Sequence, residues 1–317
     1  MSPALPGGPL ASPIARMGLI TLALLVLATI IVWALRRARP GRDLSELSSR
    51  VRSWWTMAAI FFLAILVSDR ISLVFFALLS FWSLKEYITL LKTRPADHRA
   101  LFWAFIAIPI QYWWASIGWY GMFIIFIPVY MFLFLPIRLV LSREPEGFVT
   151  SVSQIQWGLM AFVFGLSHMA YLLSMPAIGS SLVNGRTLLL FLVFVTEISD
   201  VLQYVWGKLL GRRKILPTIS PNKTWEGFAG GILTTMLLSL AIRFLTPFSW
   251  PETLLVALLI SVVGFFGGAV MSAVKRDLGV KDFGALIPGH GGMLDRVDSL
   301  CYAAPVFFHY VRYFHYH

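Results

Sequence analysis

The feature that most restricts this chain is a succession of long apolar runs joined by short charged connections. A hydrocarbon layer of roughly 30 Å is crossed by about 20 mostly apolar residues in helical form. The sequence offers about ten such stretches, near Met17 to Leu35, Trp54 to Val67, Ile71 to Leu91, Leu101 to Trp119, Tyr120 to Leu141, Gln156 to Met175, Thr187 to Trp206, Gly227 to Phe248, Thr253 to Val274 and Ser299 to Phe314. The second is short and Pro305 interrupts the last, which marks both for tilt, a kink or an interfacial position. With 58% of residues hydrophobic and 13% charged, the chain falls outside the disordered and soluble globular classes. A single cysteine, Cys301, excludes a disulfide-stapled secreted fold. The expected fold class is all-α, a polytopic integral membrane helix bundle of about nine to ten transmembrane helices. Residues 1–150 read as N-terminal transmembrane helices, and 151–317 as a C-terminal transmembrane region with cytoplasmic loops that carries the chemistry.

The formal charge of +11 would suit a nucleic-acid binder, but the basic residues sit in short loops between apolar runs, so no nucleic acid is expected. Arg36, Arg37, Arg39 and Arg42 follow the first span, Lys92, Arg94 and Arg99 the third, and Arg138 and Arg143 the fifth. Arg212, Arg213 and Lys214 follow the seventh, and Lys275, Arg276 and Lys281 the ninth. Every second loop is basic. By the positive-inside rule both termini lie outside and the basic loops face the cytoplasm, in a multi-pass protein of the cell membrane.

Polar groups that a bilayer should not tolerate point to function. Glu197 and Asp200 lie three apart on one helix face, with Tyr204 a turn further on. Each ionised carboxylate at mid-bilayer costs on the order of 3 kcal/mol, so the pair calls for water, a cation or a basic partner. After this span, Ser220, Pro221, Asn222, Lys223, Thr224 and Trp225 read as a turn entering a helix, where backbone N–H groups can meet an anion.

The densest stretch runs from Met271 to Ser299. Lys275, Arg276 and Lys281 are candidate phosphate clamps, and Gly289, Gly291 and Gly292 let backbone approach a ligand. Asp295 and Asp298, about one helical turn apart, can share one hard cation. Mg²⁺ fits, because it takes oxygen ligands and retains waters and substrate phosphates in its shell, as in a nucleoside triphosphate site. Either acid can equally cap the last helix, and Arg296 can be a surface charge. His290, without a second His or Cys nearby, reads as a positioning or phosphate-contacting group.

This stretch resembles the C-terminal motif of the CDP-diacylglycerol synthases, or phosphatidate cytidylyltransferases. Their pattern of Ser, KR, KD, HGG and DRxD is matched in register by Ser272, Lys275, Arg276, Lys281, Asp282, His290, Gly291, Gly292, Asp295, Arg296 and Asp298. The segment SPNKTWEG, from Ser220 to Gly227, looks like the family's second characteristic segment, and Asp200 with Tyr204 occupies the place of its intramembrane D and Y.

The resemblance implies transfer of CMP from CTP to phosphatidate in phospholipid biosynthesis. It assigns Ser272, Lys275, Arg276, Lys281, Asp282 and His290 to catalysis, and Mg²⁺ to Asp295 and Asp298, with a second, monovalent cation and a homodimer as further expectations. Asp200, Tyr204, Ser220, Asn222, Lys223, Thr224, Gly291, Gly292 and Arg296 are then substrate-binding. Two departures mark a divergent branch. Where the family has a Gly-Asp pair before the Ser, this chain has Gly267 and Gly268, and Val201, Leu202 and Gln203 replace small residues after Asp200. Transfer to another lipid phosphate, a membrane transporter and an inactive lipid-binding relative are the alternatives. No P-loop run is present, and no paired broken helices of the transporter kind.

Overall fold

The computed structural model describes residues 12–38, 43–178, 182–289 and 291–316. Among them, ten long helices follow the apolar runs. They are α1 (Pro13–Ala38), α2 (Ser45–Val67), α3 (Asp69–Leu90), α4 (His98–Ser116), α5 (Tyr120–Val140), α6 (Phe148–Leu173), α7 (Gly185–Leu210), α8 (Trp225–Ala241), α9 (Trp250–Asp277) and, after the single turn α10 (Leu294–Val297), α11 (Leu300–His315). An antiparallel hairpin, β1 (Lys214–Leu216) and β2 (Ser220–Thr224), joins α7 to α8 with Lys214 opposite Thr224 and Leu216 opposite Ser220. Seven of the helices, α1, α2, α3, α5, α6, α7 and α9, are long and apolar enough to cross a membrane. The others are shorter or more polar, with 19 residues in α4, 17 in α8 and 16 in α11. The protein is a polytopic, all-helical membrane protein.

Helix is the form these runs must take, because hydrocarbon offers no partner for a free N–H or C=O. The same demand explains the interior polar side chains. Gln111 Nε2 donates to the Phe123 carbonyl at 3.1 Å, and Tyr112 OH to that of Phe76 at 2.8 Å. Gln156 Nε2 donates to the Ile127 carbonyl at 3.3 Å, inside a π-helical turn over Phe126–Met131 that also takes up Pro128. Around them Phe76, Phe123, Phe162, Phe191, Phe307 and Phe308 are fully buried, while Leu63, Val140 and Leu233 stand exposed for lipid.

Two close approaches place the site. α7 and α8 pack with their backbones nearly touching, since a side chain at Gly231 would start 2.4 Å from Gln203 Cγ, and one at Gly227 2.7 Å from the Gln203 carbonyl oxygen. Gln203 is thus a packing group against α8, with its Nε2 on Ser199 Oγ at 2.8 Å. Of the three substituted residues after Asp200, Val201 is the one that lines the cavity described below. Trp206 Nε1 adds a bond of 2.9 Å to Thr234 Oγ1.

Gly231→Val should overpack this contact at a cost of about 1–3 kcal/mol, read as a lower melting temperature of the detergent-solubilised protein. An unchanged melting temperature would mean that the two helices have slack to part.

Candidate active site

The acids of α7 and the start of α11 meet through one serine. Ser299 Oγ donates to Asp200 Oδ2 at 2.7 Å, and Ser299 N donates to Asp298 Oδ1 at 2.7 Å. The three-residue spacing read from the sequence brings Glu197 onto the same face of α7, so Glu197, Asp200 and Asp298 all line one cavity of about 650 Å³. Asp200 and Asp298 each keep a second carboxylate oxygen without a hydrogen bond among the described residues.

Asp295 is bound differently. Its Oδ1 takes the Lys275 ammonium at 2.8 Å, and its Oδ2 accepts the backbone N–H of Phe283 at 2.8 Å and of Gly292 at 2.9 Å. The Lys275–Asp295 pair is buried, with side-chain exposures of 15% and 2%. One carboxylate thus ties the end of α9 to both flanks of the Gly-rich loop. Glycine is needed where the loop closes on it, because Gly291 has φ +79° and a side chain there would begin 2.8 Å from Asp295 Oδ2. From the far side, Glu86 at the end of α3 accepts Met293 N at 2.9 Å and Leu294 N at 2.8 Å, capping α10. Ser53 of α2 donates its hydroxyl to the Pro288 carbonyl at 2.7 Å.

Lys223 reaches in from β2. Its Nζ donates to the Phe265 carbonyl at 3.3 Å and lies 4.2 Å from the Phe265 ring centroid. Burial pulls this ammonium below the ordinary lysine range, against the pull of Asp200 and Asp298. Burial likewise pushes the Asp298 carboxyl up, opposed by Lys275, Arg296 and Lys223. A side chain at Gly268 would start 3.4 Å from Ser299 Oγ, 3.5 Å from Lys223 Nζ and 3.9 Å from Asp298 Oδ2. The carboxylate that the resemblance leads one to expect at that position would therefore point into this same cluster.

Of the residues singled out in the sequence, Asp200, Tyr204, Lys281, Asp282, Gly291, Asp295, Arg296 and Asp298 line the cavity. Lys275, Gly292 and Lys223 stand behind it, bonded or electrostatically coupled to its acids. Ser272 turns its hydroxyl to the Gly268 carbonyl of its own helix at 2.8 Å, and exposed Arg276 bonds the Ile219 carbonyl. Ser220 and Asn222 lie on the hairpin strand and do not line the cavity. Thr224 caps α8, accepting Gly227 N at 3.1 Å, while Glu226 accepts Arg212 N at 3.0 Å. The expected anion-receiving turn is thus a β-strand leading into a helix end that already carries a side-chain cap. His290 lies outside the described residues.

The sequence reading missed the contribution of the N-terminal helices, since Glu46, Arg50 and Trp54 of α2 line the cavity and Glu86 of α3 braces its loop. All these groups lie at the end of the bundle that carries the basic loops. Among the described residues no three His, Cys, Asp or Glu side chains converge as a metal-holding group. The Ser299-linked pair Asp200 and Asp298 nevertheless suits a cation that fills most of its shell with water and phosphate oxygens.

Glu86→Ala should free the amides of Met293 and Leu294, raising hydrogen exchange at 291–294 while leaving α4 and α5 protected. Unaltered exchange in the loop would show that Asp295 holds it unaided.

Comparison with known proteins bears on this arrangement. The model of the cytidylyltransferase family matches residues 48–314. "Uncharacterized protein YnbB" of Escherichia coli strain K12 is 46% identical over 292 residues, covering 92% of this chain and 96% of that one. Proteins named phosphatidate cytidylyltransferase are similar at 30% identity over 258 residues in Staphylococcus aureus strain COL, and at 31% over 255 residues in Staphylococcus haemolyticus. Each of these two alignments covers 79% of this chain and 94% of the relative. With this match over most of its length, and with residues of the C-terminal motif lining one cavity, the chain belongs to the cytidylyltransferase family.

Proposed function

We propose that the protein is a nucleotidyltransferase that moves the cytidylyl group of CTP onto phosphatidate, giving CDP-diacylglycerol and pyrophosphate, at a cavity facing the cytoplasm. The observation that carries this reading is the cavity itself. Its lining joins Glu197, Asp200 and Asp298 with Lys281 and Arg296 at the basic-loop end of a membrane bundle. Such a mixture of signs suits a polyanion that arrives with counter-charge, next to a lipid that cannot leave the bilayer.

In the reaction an oxygen of the lipid phosphate forms a bond to the α-phosphorus of CTP. The bond from that phosphorus to the bridging oxygen breaks, and pyrophosphate departs with the electron pair. No covalent enzyme intermediate is required, so the protein's work is alignment and charge neutralisation. Lys281 and Arg296 meet the phosphate charge from the cavity wall. Lys223, behind Asp200 and Asp298, sets a positive charge beside those two acids. Asp295 and Lys275 fix the Gly-rich loop so that its backbone can come close to the nucleotide.

Asp298 with Asp200 would hold Mg²⁺ in this reading, and the ion would neutralise charge on the triphosphate. The bonding of Asp295 favours this pair over the Asp295–Asp298 pair expected from spacing, because both Asp295 oxygens already serve Lys275 and two amides.

Gly268 supports a second reading, transfer to a different lipid phosphate, since a glycine in place of a carboxylate beside Asp298 and Lys223 alters the charge that the substrate meets. Purified protein given labelled CTP and a panel of lipid phosphates separates the two. Phosphatidate should be the preferred acceptor, and a better rate on a polyprenyl phosphate would replace it.

Asp298→Asn should lower turnover by roughly 10²–10³-fold, the usual effect of removing one electrostatic contact from a transition state. A rate within a few-fold of wild type would reject its role. Chelation with EDTA should stop product formation and added Mg²⁺ restore it. Lys281→Ala should impair turnover far more than Lys92→Ala, whose lysine lies in a connecting loop, and equal effects would reduce Lys281 to a topology charge.

A further inference from the structure

A second, apolar cavity of about 240 Å³ lies beside the polar one, between α1, α2, α3 and α7. Thr21 and Leu25 of α1, Met57 and Ala58 of α2, Phe76 of α3 and Phe194 of α7 are among its walls. The two cavities share Trp54, Glu197, Ile287 and Arg296, so they adjoin at these residues. At that junction Arg296 Nε is buried with no hydrogen-bond acceptor among the described residues. An unanswered guanidinium N–H in a low-dielectric setting is costly, and an anionic oxygen is its natural partner.

We infer that this junction is where the lipid substrate is gripped, with its phosphate on Arg296 and one acyl tail in the apolar groove, and that α1 is the wall which selects the tail. The inference rests on the lipid-phosphate reading given above. Charge and adjacency identify the occupant. An apolar groove bordered by a guanidinium N–H takes an amphiphile with an anionic head, and a neutral hydrocarbon would leave Arg296 Nε without an acceptor. Size limits it further. A dry apolar cavity of roughly 150 Å³ holds one benzene ring, so about 240 Å³ takes a stretch of one chain and not two.

α1 lies outside the matched family region. The family match begins at residue 48, beyond the end of α1 at Ala38. Met17 of α1 is nonetheless 1% exposed and belongs to the same packed core as Phe76 and Leu190. A helix outside the matched region thus supplies a fixed side to the groove, and its side chains set how much of the tail fits.

Two variants of the full chain test this, Leu25→Trp from α1 and Ala58→Trp from α2, each filling the groove from one side. The readout is the ratio of kcat/KM for dioleoyl-phosphatidate to that for dihexanoyl-phosphatidate, with labelled CTP. It should fall by roughly tenfold or more, the scale on which apolar pockets discriminate chain length. An unchanged ratio in both variants overturns the inference. Independently of turnover, a phosphatidate carrying a diazirine in its acyl tail should crosslink to α1, and Ala58→Trp should abolish that adduct. Labelling confined to other helices, or equal labelling by a phosphatidylcholine bearing the same tail, would also overturn it. Should wild type form no product with any lipid phosphate, the reading of the reaction fails, and the crosslink alone decides the groove.

Discussion

Ions inside a bundle of apolar helices persist only where each is answered, and at the basic end of this bundle Asp295 answers the most. Its carboxylate receives Lys275, Phe283 and Gly292 at once. Removing one partner of such a buried pair typically costs about 3–5 kcal/mol, because the other charge is left stranded. The Arg50–Glu46 pair at the mouth of the same cavity has side-chain exposures of 46% and 73%, and belongs to the class worth about 0–1 kcal/mol. The first interaction therefore holds the loop, and the second only decorates its entrance. With the loop fixed, Gly291 and Asp298 have defined positions, and the shared serine then fixes Asp298 relative to Asp200.

The membrane fold was legible because hydrocarbon leaves the chain so little choice. The ten runs marked by apolarity correspond to the ten long helices among the described residues. Where the reading fell short, the missing stretch was polar. α2 begins at Ser45 and not near Trp54, since the segment SELSSRVRS continues the helix beyond its apolar part. Glu46 and Arg50, which line the cavity, lie on that overlooked turn. Span-finding by apolarity is blind to a helix that emerges from the lipid.

The candidate site was legible in part for a related reason. Acids within apolar runs and basic residues clustered beside glycines announce themselves, and about half of the candidate residues line one cavity. Spacing alone could not divide the work between Asp295 and Asp298, which differ in what comes to them from elsewhere in the chain. Nor could it find Glu86, whose amide partners lie more than two hundred positions away. Ser220 to Thr224 read as a turn because Pro and Asn favour one, yet pairing with Lys214 to Leu216 draws the segment out as a strand.

The short helices α8 and α11 have a consequence for where lipid and nucleotide can meet. At about 1.5 Å per residue, 16 or 17 residues reach only about 24–26 Å, less than the roughly 30 Å of an average hydrocarbon layer. Bilayers relieve such a shortfall by thinning locally. Headgroups bordering these two helices would then sink toward the midplane, forming a dimple. In the proposed reaction, a lipid phosphate on that slope would have covered part of the distance to Asp200 before the protein touched it, with water following from above.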